Sequence, residues 1–214
     1  VVITMLALLE LFFLKRIAYS AYPKLWKLGI YVALLTVPLF MLLYLVKNWA
    51  GINHHFEFYR DRSLADHLAT QVIILWEYLR QITLPRAALL GPFHDGHSVY
   101  HWTMWQPYVA LTVWMVAIFV GWKYKAYTLG KFLLFALLWY FAAHQIESSI
   151  IPLELYFEHR NYLASLGWVL FITVIFAEIY KKSKGLSPLH ALGGLYLLYL
   201  IFNLQQITSL WGKP

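Results

Sequence analysis

PYVALTVWMVAIFVGW (107–122) and FLLFALLWYFAAHQI (132–146) are two long apolar runs, and the segment between them carries only Lys123, Lys125 and Lys131 as charges. A helix satisfies its backbone hydrogen bonds internally and can therefore cross a bilayer, which takes about 20 residues. The pattern predicts two membrane-spanning helices joined by a basic turn.

The composition of the whole chain agrees with this interpretation. Its 214 residues are 61% hydrophobic and 19% aromatic but only 13% charged, which is far from the average soluble domain. The ten Trp and sixteen Tyr are typical of the aromatic belts at membrane interfaces. Cysteine is absent, which excludes disulfides and thiolate metal sites. In a soluble protein a net charge of +7 would suggest nucleic-acid binding, but in a membrane protein the side on which the charges lie sets the orientation. We therefore expect no nucleic-acid partner.

Four more apolar runs bring the predicted spans to six: 1–14, 28–46, 107–122, 132–146, 165–180 and 188–211. Pro38 is tolerated as a kink, and Gly193 with Gly194 would allow close helix approach. We expect an all-α polytopic transmembrane bundle that forms a single domain over residues 1–214.

The long polar stretch 47–106 holds six of the nine histidines and is predicted to be an extramembrane loop. Within it, residues 68–84 have the helical periodicity of an amphipathic helix at the membrane interface or packed on the bundle. Its apolar positions are Val72, Leu75, Trp76, Leu79 and Ile82. The polar residues are expected to be turned away from this apolar face: Gln71, Glu77, Arg80 and Gln81.

The charges alternate from one loop to the next. Segments 15–27, 123–131 and 181–184 hold ten Lys/Arg and no acid, which places them in the cytoplasm by the positive-inside rule. Loops 47–106 and 147–164 would then share the external face. We expect a multi-pass protein of the bacterial inner membrane, or of the endoplasmic reticulum membrane.

The second external loop concentrates side chains capable of chemistry. The guanidinium of Arg160 suits bidentate phosphate binding, and His159 could assist or shuttle a proton. Tyr162 could stack on a sugar, and Glu158 could orient Arg160. The alternative is that Glu158 and Arg160 pair merely to neutralise a loop tucked into the bundle.

A second cluster comprises His94, Asp95 and His97, with His101 four residues on. Imidazole and carboxylate suit a divalent metal, but the nearby Gly and Pro residues argue against a helix and the spacing matches no strong metal signature. Solvated or interfacial histidines are the alternative, and we assign no metal ion. In the charge run 57–66, Arg60 could be a further phosphate or sugar contact, or part of a solvated paired face.

Two segments carry a family resemblance. ESSIIPLELYFEHRNYLASLG (147–167) resembles the external loop of polytopic, polyprenol-dependent glycosyltransferases with tetratricopeptide repeats, such as the transmembrane O-mannosyltransferases and their bacterial relatives. TQVIILWEYLRQITLP (70–85), followed by His94-Asp95, is similar to that family's helix and loop before the next span. Ala164 stands where the related phrase has proline.

The resemblance implies transfer of a sugar from a polyprenyl-phosphate donor to a protein or glycan acceptor at the external face, with inversion. It makes Glu158 and His159 the catalytic candidates. The substrate-binding candidates are Arg160, Tyr162, Arg80 and Arg60. It also implies an acidic external loop before Val1 and repeats after Pro214, so that this portion alone would be inactive.

Two other functions stay open. A non-catalytic membrane subunit would use its polar loops to bind partner membrane proteins. An O-antigen ligase or polymerase would use a diphosphate donor and share the Glu-x-Arg-x-Tyr-Leu pattern of residues 158–163.

Overall fold

A computed structural model describes residues 1–14, 24–60, 62–87, 97–145, 148, 155–157, 161–182 and 188–211. No β-strand occurs among these residues, which confirms the predicted α class. The helices are α1 (Val2–Leu9, continued by a π-helical turn over Glu10–Leu14), α2 (Lys24–Arg60), α3 (Leu64–Thr83), α4 (Gln106–Lys123), α5 (Thr128–His144), α6 (Asn161–Lys182) and α7 (Pro188–Trp211).

Two helices in the described part are long and apolar enough to cross a membrane: α6 and the Ala191–Ser209 portion of α7. Val2–Phe13 and α5 are apolar but shorter. By length and composition the chain is therefore a candidate membrane protein. Two of the six predicted spans meet this test in the described part.

Helix α5 lies at the centre of the bundle, with α1, α4 and α6 packed against it. The rings of Phe13 and Phe132 are 5.6 Å apart, and Gln145 donates to the Thr4 hydroxyl at 3.3 Å, so α1 runs antiparallel to α5. This direction gives the bundle a basic end, near Lys131, and an opposite end, near the close of α5.

Helix α3 joins the core through aromatic side chains. The indoles of Trp76 and Trp114 stack at 3.9 Å, and Trp114 also packs on Tyr140. The Tyr140 hydroxyl donates to the Leu75 carbonyl at 2.6 Å. The amphipathic helix expected at residues 68–84 is thus packed on the bundle.

Helix α3 begins four residues earlier than its apolar pattern indicated. The Asp66 amide donates to the Ser63 hydroxyl at 3.1 Å, which caps the helix N-terminus. This cap lies in the polar run ahead of the apolar periodicity, which explains the early start.

The first part of the predicted loop 47–106 is helical. Helix α2 bends at Asn48 (φ −110°, ψ 16°), whose side chain donates to the Tyr44 carbonyl at 2.9 Å, and then continues to Arg60. A hydrogen bond from Asn53 to Glu57, one turn apart, supports this polar continuation.

Close helix approach occurs at other glycines than those predicted. A Cβ on Gly167 would lie 2.8 Å from the Trp139 ring, and one on Gly121 would lie 3.1 Å from Leu134. At Gly193 and Gly194 a Cβ would meet nothing within 4 Å. The prediction for this pair was wrong, because the space beside both glycines is open in the described part.

Candidate functional site

One stripe of α3 carries polar groups into the core. Its members recur at alternating spacings of four and three residues and are all buried: His67, Gln71, Ile74, Tyr78 and Gln81. The prediction that Gln71 and Gln81 point away from the bundle was wrong. Helix α3 is covered on more than one face, so the polar groups of this second stripe also need hydrogen-bond partners.

That stripe binds the chain segment just before Glu158. The Gln71 side chain donates to the Leu155 carbonyl at 3.0 Å, and the Phe157 amide donates to the Tyr78 hydroxyl at 2.6 Å. Between them the buried Tyr156 ring packs 4.7 Å from that of Tyr78. Residues 155–157 are therefore fixed along α3.

The residues after Arg160 are fixed as well. The Trp139 indole donates to the Leu163 carbonyl at 2.8 Å, and Ala164 and Gly167 are buried against the bundle. Helix α6 begins at Asn161, so Tyr162 lies in a first helical turn rather than in the loop where it was predicted, with 80% of its surface exposed.

His97 connects the histidine-rich loop to this region. Its ring stacks on Tyr156 at 5.7 Å. Its Nε2 lies 2.8 Å from a Glu77 carboxylate oxygen and its Nδ1 3.0 Å from the Ser98 carbonyl. Both partners are acceptors, which favours the doubly protonated imidazolium. The hydrogen bond to Glu77 raises the pKa of His97 above its ordinary value, against the opposing effect of burial.

Two further contacts hold the same loop on α3. His101 Nδ1 lies 2.7 Å from a carboxylate oxygen of Asp66. The Tyr100 amide donates to the Thr70 hydroxyl at 2.9 Å. Burial by itself raises the pKa of Asp66, but hydrogen bonds from Ser63 and His101 and the charge of His101 outweigh it, so that the pKa lies below its ordinary value. Residues 97–101 are thus bonded to the first two turns of α3, through Asp66 and Thr70, and to its second half, through Glu77.

We expect the His97–Glu77 contact to make stability fall with rising pH. A raised histidine pKa contributes stability that is complete below the ordinary value of about 6.5 and is lost as pH rises through the folded value. Glu77→Gln should destabilise the fold at pH 6 by roughly 1–2 kcal/mol and remove this decline.

Thermal unfolding in detergent between pH 5.5 and 8.5 measures this decline. Glu57→Gln removes an exposed carboxylate on α2 and should keep the pH profile of the unmodified chain. A Glu77→Gln profile that still declines in parallel with the unmodified protein would contradict the assignment.

The structure describes only some of the predicted site residues. His97 reaches the segment 155–157, but both its nitrogens are engaged, and no group of three His, Asp or Glu side chains in the described part could hold a metal ion. Arg80 lies exposed on α3, two residues after Tyr78. His94, Asp95, Glu158, His159 and Arg160 lie outside the described residues, as does the side chain of Arg60.

Glu77, Tyr78 and Tyr156 were missed as parts of a site. Glu77 and His97 are twenty residues apart, a pairing that no local pattern reveals. The buried stripe of α3 does have a local signal, because Gln71 and Tyr78 are two turns apart on one helix face. A search for mixed polar and aromatic stripes would have found it.

No family model matches this chain, and no curated protein or solved structure matches it either.

Proposed function

We propose that the chain is the membrane portion of a glycosyltransferase with six spans, which transfers a sugar from a polyprenyl-phosphate donor to a protein or glycan acceptor at the external face. The observation that carries the proposal is the anchoring of the chain on both sides of Glu158-His159-Arg160. Phe157 is bound by Tyr78 and Leu163 by Trp139. A catalytic loop needs such support, because a small displacement of its groups is costly in rate.

The proposed roles follow from side-chain chemistry. Arg160 holds the donor phosphate with its planar pair of N–H groups, and Glu158 orients Arg160. His159 moves a proton to or from the reacting oxygen atoms. The exposed Tyr162 ring stacks on a sugar face, and Arg80 and Arg60 supply further contacts to phosphate or sugar.

The helix directions support the six-span arrangement. Helix α1 runs antiparallel to α5, and so does α4, since Trp114 packs on Tyr140 whereas Gly121 packs on Leu134. Each predicted span overlaps a helix in the described part, although 28–46 lies inside the much longer α2. The basic segments of α4 and α5 then share one end of the bundle. His97, Tyr156 and Tyr162 belong to the opposite end, which we propose to be the external one.

Replacing Arg160 by alanine in the full-length protein tests the function. We expect transfer from polyprenyl-phosphate monosaccharides to fall at least a hundredfold, while insertion into the membrane is unchanged, because a charge-assisted bidentate contact to phosphate is lost. Initial rates in isolated membranes with a panel of such donors measure the effect.

Arg86→Ala is the matched control, since Arg86 is an exposed arginine that has no role in the proposed site. Retained transfer by Arg160→Ala would overturn the assignment. Absence of transfer by the unmodified protein with every monophosphate donor, but activity with a diphosphate-linked glycan, would favour the ligase or polymerase function. Absence of both would favour the non-catalytic subunit.

A further inference from the structure

The α4–α5 turn, residues 122–131, is a basic surface bordered by aromatic rings. It carries Lys123, Lys125 and Lys131 and no acidic residue. Trp122, Tyr124 and Tyr127 are all exposed around these lysines. The function proposed above does not use this turn.

Three side chains at the C-terminal end of α4 change in order from apolar to cationic. Phe119 is exposed, and its ring lies 6.2 Å from that of Trp122, one turn later. The Lys125 ammonium lies 5.1 Å from the Trp122 ring centroid. Apolar, amphipathic and cationic groups thus follow one another over two turns. A bilayer presents the matching sequence of acyl chain, interface and headgroup.

Cation–π contacts hold the ammonium groups of Lys123 and Lys125 over aromatic rings. Lys123 lies 5.6 Å from the Tyr124 ring, and Lys125 lies over the Trp122 ring. An aromatic ring attracts a cation without neutralising it. These two lysines therefore keep their positive charge available to an anion. By contrast, Lys181 forms an ion pair with Glu178 at 2.8 Å.

The turn is held in a compact form by its own backbone. Gly130 packs directly against the Tyr124 carbonyl, and the Tyr127 amide donates to that same carbonyl at 2.9 Å. The backbone on the two sides of the turn is consequently held close together.

We propose that the α4–α5 turn binds the headgroups of anionic phospholipids at the membrane surface. The inference does not depend on glycosyl transfer. Each lysine near an anionic bilayer surface strengthens association by about fivefold, and the effect fades within a Debye length of about 8 Å at physiological salt.

None of the 214 residues is cysteine, so one introduced cysteine gives a site-specific probe. The 214-residue chain carrying Ala126→Cys, an exposed position inside the turn, is labelled with an environment-sensitive fluorophore in detergent. Dihexanoyl-phosphatidylglycerol and dihexanoyl-phosphatidylcholine are then titrated below their micellar concentrations, with inorganic phosphate as a separate titrant.

We expect phosphatidylglycerol to shift the emission at a concentration at least tenfold lower than phosphatidylcholine. Lys123→Gln/Lys125→Gln should weaken the phosphatidylglycerol response by about 25-fold, and Lys123→Arg/Lys125→Arg should restore it. Lys47→Gln/Arg86→Gln removes the same two charges elsewhere and should leave the response within twofold. All variants are compared at equal thermal stability, which separates lipid binding from misfolding.

Equal responses to the two lipids would overturn the proposal. So would a loss of the same size in Lys47→Gln/Arg86→Gln, because the effect would then depend on net charge alone. A response to inorganic phosphate at the same concentration as to phosphatidylglycerol would also overturn it, since the site would then bind a free anion.

Discussion

Gly130→Ala will unfold at a markedly lower temperature than the unmodified chain, by roughly 6–10 °C, which corresponds to about 3 kcal/mol. A Cβ at this position would overlap the oxygen and the carbon of the Tyr124 carbonyl group. These are backbone atoms, held by the hydrogen bond from Tyr127, and cannot rotate away as the end of a side chain can. Either the α4–α5 turn opens or the helices separate.

Gly193→Ala and Gly194→Ala are matched controls of opposite expected sign. Both glycines lie inside α7, where an added Cβ would meet nothing within 4 Å. Alanine is the better helix former by about 1 kcal/mol, so these variants should unfold at the same or a slightly higher temperature. Thermal unfolding of the three variants in one detergent is the measurement. If Gly130→Ala behaved as the α7 variants do, the close contact with Tyr124 would be refuted.

Tyr78→Ala will destabilise the protein by about 3–4 kcal/mol, the largest expected effect of a single change in the site region. The Tyr78 ring is fully buried and packs on Tyr156 at 4.7 Å and on His144 at 5.5 Å. Its removal leaves a cavity between α3, α5 and the segment 155–157.

Tyr78→Phe separates packing from hydrogen bonding. The ring stays, but the Phe157 amide loses its acceptor, so we expect a smaller cost of about 1–2 kcal/mol and faster hydrogen exchange at that amide. Exchange measured by mass spectrometry on peptides that contain residues 155–157 reports this change. Exchange unchanged from that of the unmodified protein would contradict the role of Tyr78 in holding the segment.

Tyr162→Ala is expected to affect sugar transfer rather than stability. Because Tyr162 is exposed, its truncation should change stability by less than about 0.5 kcal/mol. Under the proposed function it should nevertheless reduce sugar transfer, because a stacking surface for the sugar is removed. Comparison of Tyr78→Phe with Tyr162→Ala therefore distinguishes a positioning residue from one that contacts substrate.

The helical segments were predicted well because their determinants are local. The bounds 188–211 coincide with α7, and the prediction 107–122 differs from α4 by one residue at each end. Long apolar runs leave a chain little alternative to a helix, since every backbone group in an apolar environment must be paired internally. The bend at Asn48 and the start of α3 at Leu64 were missed because polar capping groups, rather than apolar periodicity, decide them.

The contacts of the candidate site could not be predicted from local patterns. His97 stacks on Tyr156, which lies 59 residues later in the chain. Its contact with Glu77 likewise required knowledge of which side chains meet across twenty residues. The roles of Glu158, His159 and Arg160 stay predictions.

What the sequence by itself determined about this protein is its helical class, the places of its apolar segments and the basic character of the α4–α5 turn. These depend on composition and on spacing within one or two helical turns. Only the tertiary structure decided that Gln71 and Tyr78 face the core, that Gly130 and Gly167 make the close contacts, and that Gly193 and Gly194 do not. The physical reason is that burial and close approach are properties of pairs of helices, and a helix pattern alone does not specify which neighbour covers which face.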